Sequence, residues 1–266
     1  MGASTSLPLP TLLAPISFAY NFAAQQYGMF SSPNMLDVHD AHIAAFSPQP
    51  FFIAGFFFPQ QIVQVVWLWK LLRAKERAKI NGAERGIMDG YAWAYVVGNV
   101  GIGTWMFFWN SSDLRTSNLF VIANTFTQLF YTAFLLPPLD TRSTPSLLTH
   151  LVAKTFAGIG VLDLLHNTSA AYYVGVPASG LVKALTGLGF GAAACVSDWI
   201  FGACLVYDLV ALSVGQTQYG EAGWGMLLAG YAVGTAGIVG LRNWVYPRWK
   251  AQREGSYERL GGDESI

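Results

Sequence analysis

The chain has 266 residues, and its 15 basic and 15 acidic residues give a formal net charge of zero. Apolar residues make up 53% of it and charged residues only 11%, whereas soluble domains carry about 25% charged residues. This composition excludes an ordinary soluble domain, and the balanced charge gives no support to nucleic-acid binding. The two cysteines, Cys195 and Cys204, cannot form a disulfide framework and are predicted to be buried free thiols.

Apolar runs of about 20 residues recur along the chain, each long enough to cross a hydrocarbon core about 30 Å thick. They predict an all-α, polytopic transmembrane helical bundle. Seven runs are clear, at residues 11–30, 51–72, 88–109, 118–136, 147–166, 194–214 and 223–241. An eighth segment, 170–191, is ambiguous because Pro177, Lys183 and several glycines interrupt it.

Basic residues decide whether segment 170–191 crosses the membrane. Six of them lie at the end of the second run and in the loop that follows it, and five follow the last run. The positive-inside tendency predicts that both groups are cytosolic. An even number of crossings must separate two groups on one side, and without segment 170–191 there would be an odd number. We therefore expect eight spans, with seven as the alternative, and both termini in the cytosol. Residues 1–246 form a single transmembrane domain, and 247–266 are predicted to be a polar, disordered cytosolic tail.

The first lumenal loop carries a compact group of ionisable residues. Ser32 followed by Pro33 predicts the start of a short interfacial helix, with Ser32 as its N-cap. That helix would carry two acids on one face and two imidazoles on another, namely Asp37, Asp40, His39 and His42. A solvated interfacial face is the alternative interpretation. No third ligand with diagnostic spacing accompanies them, so we predict no metal site.

Two predicted spans carry ionisable residues of their own. Asp163 and His166 lie three positions apart at the lumenal end of the fifth span, and Asp208 lies towards the lumenal end of the seventh. Ionisable residues inside membrane helices are costly, and they therefore indicate function. A buried acid can protonate a substrate while an imidazole acts as base, and aromatic faces can stabilise a cation. Interhelical hydrogen bonding is the alternative for the Asp163–His166 pair and for Gln60 and Gln61 of the second span.

The motifs LDVHDAH, SPQPFFIAGFFFPQQI and SDWIFGACLVYDL, together with the span count, resemble the fungal integral-membrane terpene cyclases of the ascofuranone and ascochlorin type. That family includes membrane-bound epoxide hydrolases of polyene α-pyrone pathways, such as those of aurovertin and citreoviridin. The Trp-Glu dipeptide of a second group of fungal meroterpenoid cyclases does not occur in this chain. The resemblance implies an enzyme of fungal secondary metabolism in the endoplasmic reticulum or another endomembrane. It also implies an apolar, epoxidised prenyl or polyene substrate and no metal or organic cofactor.

On this interpretation a buried acid protonates the epoxide, and ring closure or addition of water follows. We predict that the catalytic residues are Asp37, His39, Asp40, Asp163, His166 and Asp208. We predict that the substrate-binding residues are His42, Gln60, Gln61 and Trp199. The predicted partners are the lipid bilayer and the epoxidised substrate, and nucleic acid is not among them.

A function of another class stays open. The Gly- and Pro-interrupted segment 170–191 is typical of transporters, so the alternative is a non-enzymatic transporter or lipid-binding membrane protein. A retinal protein would need a lysine at mid-span, whereas Lys154 and Lys183 are predicted to lie in the cytosolic halves of their spans.

Overall fold

A computed structural model describes residues 8–73 and 82–246, with the backbone alone for 82–85. These residues form helices and no strand, which confirms the all-α prediction. The helices are α1 (Leu9–Phe30), α2 (Met35–Ala41), α3 (Pro50–Arg73), α4 (Gly82–Asn110), α5 (Leu114–Phe130), α6 (Thr144–Tyr172), α7 (Gly180–Val196), α8 (Trp199–Gln218) and α9 (Ala222–Gly240). The π-helical segments Tyr131–Leu135 and Leu241–Val245 continue α5 and α9. The predicted tail 247–266 and Lys75, Arg77 and Lys79 of the basic loop lie outside the described residues.

Four helices are long and apolar enough to cross a membrane, namely α3, α6, α8 and α9 with its π-helical extension. Helix α7 is a shorter apolar helix of 17 residues. Large apolar side chains face outwards on several helices; Phe51, Phe134 and Met226 are each more than 70% exposed. Apolar surface of this extent is typical of contact with lipid. The four apolar helices therefore indicate that the protein is associated with a membrane.

Polar side chains, by contrast, lie between the helices and bond to one another. The Asn21 side chain on α1 donates to Asn99 on α4 at 3.0 Å. The Trp105 indole on α4 donates to Asn167 on α6 at 2.7 Å, and Ser117 on α5 donates to the same oxygen. Side-chain hydrogen bonds of this kind hold helices together where the surroundings are as apolar as the side chains. The interior of the bundle consequently contains paired polar groups among its apolar residues.

The ends of the helices form two faces of the bundle. Arg242, after α9, donates to the backbone carbonyls of Cys195 and Ser197, between α7 and α8. Trp67 near the end of α3 donates to Thr149 near the start of α6 at 3.0 Å. We call this face the basic end, because its side chains include Arg73, Arg142 and Arg242. The opposite face, which α2 covers, is the α2 end.

The link between α2 and α3 enters the bundle at the α2 end, and we call residues 42–49 the inserted segment. The Gln216 amide on α8 donates to the carbonyls of Ala44 and Ser47, each at 3.0 Å. The Trp224 indole on α9 donates to a third carbonyl of the segment at 2.7 Å. Gly215 allows this approach, because a Cβ at that position would lie 2.4 Å from the Ser47 backbone oxygen. The inserted segment is thus held against α8 and α9 through its backbone.

Several predicted helix boundaries are wrong: the span predicted at 147–166 continues to Tyr172, and the one predicted at 194–214 begins at Trp199. Helix α2 begins after Asn34, not Ser32, because the Asn34 side chain accepts the backbone N–H groups of Leu36 and Asp37. The eighth apolar segment does not form one helix over 170–191. Its first residues end α6, the chain then turns at Gly175 with φ of 69°, and α7 starts after its N-cap Ser179. Capping side chains and a glycine in the left-handed region set these boundaries.

Two side chains also lie elsewhere than predicted. Lys183 is in the first turn of α7 at the α2 end, not in the half that points to the basic end. Its ammonium group lies 5.7 Å from the centroid of the Trp224 ring, which can stabilise the positive charge. Cys204 is buried as predicted, but Cys195 is exposed, because it lies near the end of α7 on the outer surface.

Candidate functional site

Two imidazoles from distant parts of the chain meet at the α2 end. The Nε2 atom of His39 on α2 is hydrogen-bonded to the Tyr219 hydroxyl at 2.8 Å. The His39 ring centroid lies 5.0 Å from that of His166 on α6. Both histidines are buried, and Nε2 of His166 has no hydrogen-bond partner among the described residues. The hydrogen-bonding capacity of this nitrogen is therefore unused among the described residues.

Burial also sets the charge of the α2 imidazole. It lowers the pKa of His39, an effect that the Asp40 carboxylate partly opposes. The same burial raises the pKa of Tyr219, and the charge of Asp40 raises it further. Both groups are consequently neutral near pH 7. A neutral imidazole bonded to a neutral phenol can pass a proton in either direction.

Two carboxyl groups lie deeper, between α6 and α8. Asp208 is near the middle of α8 and 0% exposed, and neither of its carboxyl oxygens has a hydrogen-bond partner among the described residues. Asp163 on α6 is half-buried and close enough to Asp208 for their charges to repel. Asp163 is also one helical turn from His166. An ionised carboxylate without a donor costs several kcal/mol in an apolar interior, whereas a protonated one costs far less, so this environment suits a proton donor.

Aromatic rings border the same region. The Trp109 ring centroid lies 5.3 Å from that of His166 and 5.5 Å from that of Trp105. The Trp109 indole donates to the backbone oxygen of Met35 at 3.1 Å, which ties α4 to the start of α2. The faces of such rings stabilise nearby positive charge through their quadrupole. We define the acid–imidazole cluster as Asp163, Asp208, His39, His166 and Tyr219.

The other predicted residues of the loop lie outside this cluster. Asp37 is exposed, and its carboxylate accepts the Asn34 N–H at 2.9 Å, which completes the capping box of α2. Asp40 is exposed as well. His42 is half-buried, and its Nδ1 atom is hydrogen-bonded to the backbone oxygen of Val38 at 2.7 Å. Of the four predicted loop residues, the fold therefore brings His39 alone into contact with His166.

The predicted substrate-binding residues of the spans are dispersed. Gln60 is buried and accepts a hydrogen bond from Gln64 at 3.1 Å, an arrangement that fits the alternative of interhelical bonding. Gln61, the next residue on α3, is half-buried. Trp199 is 55% exposed at the start of α8, which is at the basic end and therefore remote from α2.

A cavity of about 840 Å³ lies between α5, α6, α7 and α8 and is open along one side. None of the residues of the acid–imidazole cluster lines it. Its charged lining residues are Lys154, Asp198 and Arg242, and Lys154 bonds to Asp198. The sequence analysis did not predict this cavity. A lysine inside an apolar span was the available signal, because such a charge needs a partner.

The acid–imidazole cluster combines a buried acid, two imidazoles, a phenol and neighbouring indoles, a set of groups suited to acid–base chemistry on an apolar molecule. Tyr219 was missed in the sequence because a tyrosine after a helix has no distinctive pattern. Across 8–73 and 82–246, no three His, Cys, Asp or Glu side chains lie close enough together to hold a metal ion. Comparison of the chain with family models, with curated proteins and with solved structures found no match.

Proposed function

We propose that this protein is an integral-membrane enzyme of fungal secondary metabolism that opens an epoxide on a prenyl or polyene substrate by acid–base catalysis. The observation that carries the proposal is the fully buried carboxyl of Asp208, which has no partner among the described side chains and lies beside Asp163. The epoxide is implied by the resemblance of the sequence motifs. The buried acid and the adjacent imidazoles support the acid–base part of the proposal.

In the proposed reaction Asp208 donates its proton to the epoxide oxygen. The carbon–oxygen bond breaks, the oxygen becomes a hydroxyl group, and positive charge develops on the carbon. The carboxylate that remains, Asp163 and the Trp109 face stabilise that charge. An internal nucleophile or a water molecule then bonds to the carbon and gives its proton to His166. Return of this proton to Asp208 restores the enzyme, so ring closure is an isomerisation, hydrolysis adds one water, and neither needs a redox cofactor.

His39 and Tyr219 have a supporting role in this proposal. The hydrogen bond between them fixes the His39 ring, whose centroid is 5.0 Å from that of His166. His39 can therefore accept or supply the proton that His166 handles. We place Asp37 outside the reacting groups, since its carboxylate already caps α2.

We further propose eight spans, with the basic end in the cytosol and the α2 end in the lumen of an endomembrane compartment. The described helices include eight long ones, and at 1.5 Å per residue even α7 is about 25 Å long, close to the thickness of a thin bilayer. The basic side chains Lys70, Arg73, Arg142 and Arg242 lie at one end, and Arg115 and Lys183 lie at the other. This asymmetry supports a cytosolic basic end.

The proposal is tested with microsomes that contain the full chain and are supplied with an epoxidised polyene or prenyl precursor. The product is expected to be a cyclised isomer or a diol, which mass spectrometry distinguishes. Asp208→Asn is expected to lower turnover at least about 100-fold, because a general acid contributes a factor of about 10² to 10⁴. Glu221→Gln is the matched control, since Glu221 is an exposed acid at the start of α9. If Asp163→Asn and Asp208→Asn both keep full turnover, the assignment of the proton donor is wrong.

A proton-coupled transporter is the second candidate, because buried acids inside membrane helices also form proton relays. The same unpartnered Asp208 supports it. Reconstituted vesicles separate the two candidates. A transporter moves its substrate unchanged and responds to an imposed pH gradient, whereas an enzyme changes the mass or the ring count of its substrate without a gradient.

A further inference from the structure

The groove between α5, α6, α7 and α8 has the size and lining of a ligand site. Its volume of about 840 Å³ falls within the range of about 300–1,000 Å³ for small-molecule pockets. Each helix contributes one face, and the apolar lining includes Phe126, Phe130, Val161, Leu165, Phe190 and Leu205. On α7 the lining extends from Leu185 to Val196, a distance of about 17 Å at 1.5 Å per residue. The groove is therefore a long apolar channel on the side of the bundle.

Charged groups lie at one end of this channel, the basic end. Lys154 bonds to one carboxylate oxygen of Asp198, and the backbone N–H of Phe201 donates to the other at 3.1 Å. Arg242 donates from Nε to the Ser197 carbonyl at 3.0 Å and from a second nitrogen to the Cys195 carbonyl. Lys carries three N–H donors and Arg five, so both cations keep donors for another acceptor, whereas Asp198 is already engaged. Two cations and one anion leave this end with a net positive charge.

Both π-helical segments of the described chain meet the groove at this end. Tyr131–Leu135 contributes Thr132, Ala133 and Phe134 to the lining, and Leu241–Val245 contributes Arg242. Single π-helical turns are rare and occur frequently at functional sites. Their occurrence at the charged end of the groove adds a feature of the backbone to the net charge there.

We propose that the groove binds a fatty-acid-like amphiphile taken from the bilayer, with its single hydrocarbon chain along α7 and its anionic head group against Lys154 and Arg242. The apolar length takes the chain, and the net positive end complements the negative charge of the head group. The groove opens sideways, so a molecule dissolved in lipid enters without crossing water. The site contains none of the groups of the acid–imidazole cluster, so the inference does not depend on the proposed epoxide chemistry.

The location of the chain is tested by photolabelling the full protein in phosphatidylcholine nanodiscs. A diazirine analogue of oleic acid is the probe, unlabelled oleate is the competitor, and mass spectrometry identifies the labelled residues. Competable labelling is expected on α5 and α7. A Cβ at Gly189 meets open space, and Gly189 lines the groove, so Gly189→Leu is expected to fill the channel without disturbing the helix. It should reduce competable labelling by about tenfold, whereas Gly191→Leu, also in open space but outside the lining, should change it by less than about twofold.

The head group is tested with three competitors that share one chain: oleate, oleyl alcohol and oleylamine. Oleate is expected to compete most strongly and oleylamine least. Arg242→Gln removes the charge while its amide can still donate to the Ser197 carbonyl, and it should reduce the advantage of oleate over oleyl alcohol by about tenfold. Lys154 is left intact, because its removal would leave Asp198 without its cation.

Three results would overturn the inference. Labelling that unlabelled oleate does not compete would mean that bulk lipid alone occupies the groove. Wild-type labelling of Gly189→Leu would place the probe elsewhere, and equal competition by oleylamine and oleate would remove the head-group site. Thermal unfolding of each variant confirms that it is folded. If Gly189→Leu does not fold, the competition experiment with Arg242→Gln still tests the head-group site.

Discussion

Two buried polar clusters of this bundle differ in how completely their hydrogen bonds are made. The first, which we call the tyrosine–glutamine cluster, joins α3, α4 and α5 and consists of Gln60, Gln64, Tyr91, Tyr95 and Gln128. Tyr95 donates to Gln64 at 2.9 Å, and Gln64 donates to Gln60 at 3.1 Å. Tyr91 donates to Gln128 at 2.9 Å, and Gln128 donates to a backbone carbonyl at 2.8 Å.

In the acid–imidazole cluster His39, His166 and Asp208 are buried as well, but both oxygens of Asp208 and Nε2 of His166 lack partners within the described part of the chain. Buried polar groups in folded proteins are nearly always hydrogen-bonded, and each exception calls for an explanation. Burial of polar residues therefore does not by itself indicate a site in this bundle. Incomplete pairing also occurs at Asn110, Asn124 and His150. What distinguishes the acid–imidazole cluster is that unpaired atoms of an acid and of an imidazole occur in one group of side chains.

The largest effect is expected where the inserted segment packs against α8. Gly215→Ala places a Cβ 2.4 Å from the Ser47 oxygen and 2.6 Å from the Gln49 nitrogen, both of which are backbone atoms. We expect a loss of about 3 kcal/mol in the free energy of unfolding, because overpacking against backbone forces the segment away from α8. Thermal and denaturant unfolding in detergent measures it. Gly223→Ala, which meets open space, is the control and should be nearly neutral.

Replacement of one polar residue by leucine should have opposite effects in the two clusters. Gln64→Leu leaves the Tyr95 hydroxyl and the Gln60 oxygen unpaired and should lower stability by about 2 kcal/mol. Asp208→Leu removes a buried acid that has no partner to lose and should raise stability by about 2 kcal/mol while it abolishes turnover. Unfolding curves and activity assays of both variants, measured in parallel with the wild type, test these two expectations. Equal destabilisation by both changes would contradict the distinction between the clusters.

The pH dependence of stability should distinguish the His39 imidazole from the tyrosine–glutamine cluster, whose residues are neutral. Burial lowers the pKa of His39, so the unfolded chain binds this proton more readily than the folded one. The stabilisation that the neutral His39 ring gives the folded protein is complete above the ordinary histidine pKa near 6.5 and is lost as the pH falls below it. The free energy of unfolding then decreases by at most about 1.4 kcal/mol per pH unit. Unfolding of His39→Gln between pH 7 and 5 should show a shallower slope than the wild type. Tyr219→Phe keeps the imidazole, so it should lower stability by about 1 kcal/mol at pH 7 and retain a slope.

The smallest effect is expected at the exposed acid of α2. Asp37→Asn weakens the acceptor for the Asn34 N–H in the capping box, which should cost about 0.5–1 kcal/mol of stability. Thermal unfolding measures the loss. A decrease in turnover of about 100-fold at unchanged stability would instead assign Asp37 to the reacting groups.

The positions of the long helices followed from the sequence because the length of an apolar run is a local property. The predicted first span, 11–30, and the predicted second span, 51–72, match α1 and α3 to within two residues. Prediction failed for α7, where the apolar composition extends beyond the helix. There the cap at Ser179 and the left-handed turn at Gly175 determine the start, and hydropathy does not register either feature.

The class of the fold follows from hydropathy along the chain, and so do the residue types that are costly inside it: acids, imidazoles and a lysine within apolar helices. Which of them are paired was decided by the tertiary structure alone. His39 meets a phenol 180 positions away, and Lys154 meets an acid 44 positions away, and no local pattern encodes either contact. The rotation of each helix about its axis sets these pairings, and that rotation depends on how all the helices pack at once. The partnered and the unpartnered groups, and the groove between α5 and α7, therefore become visible only in the folded bundle.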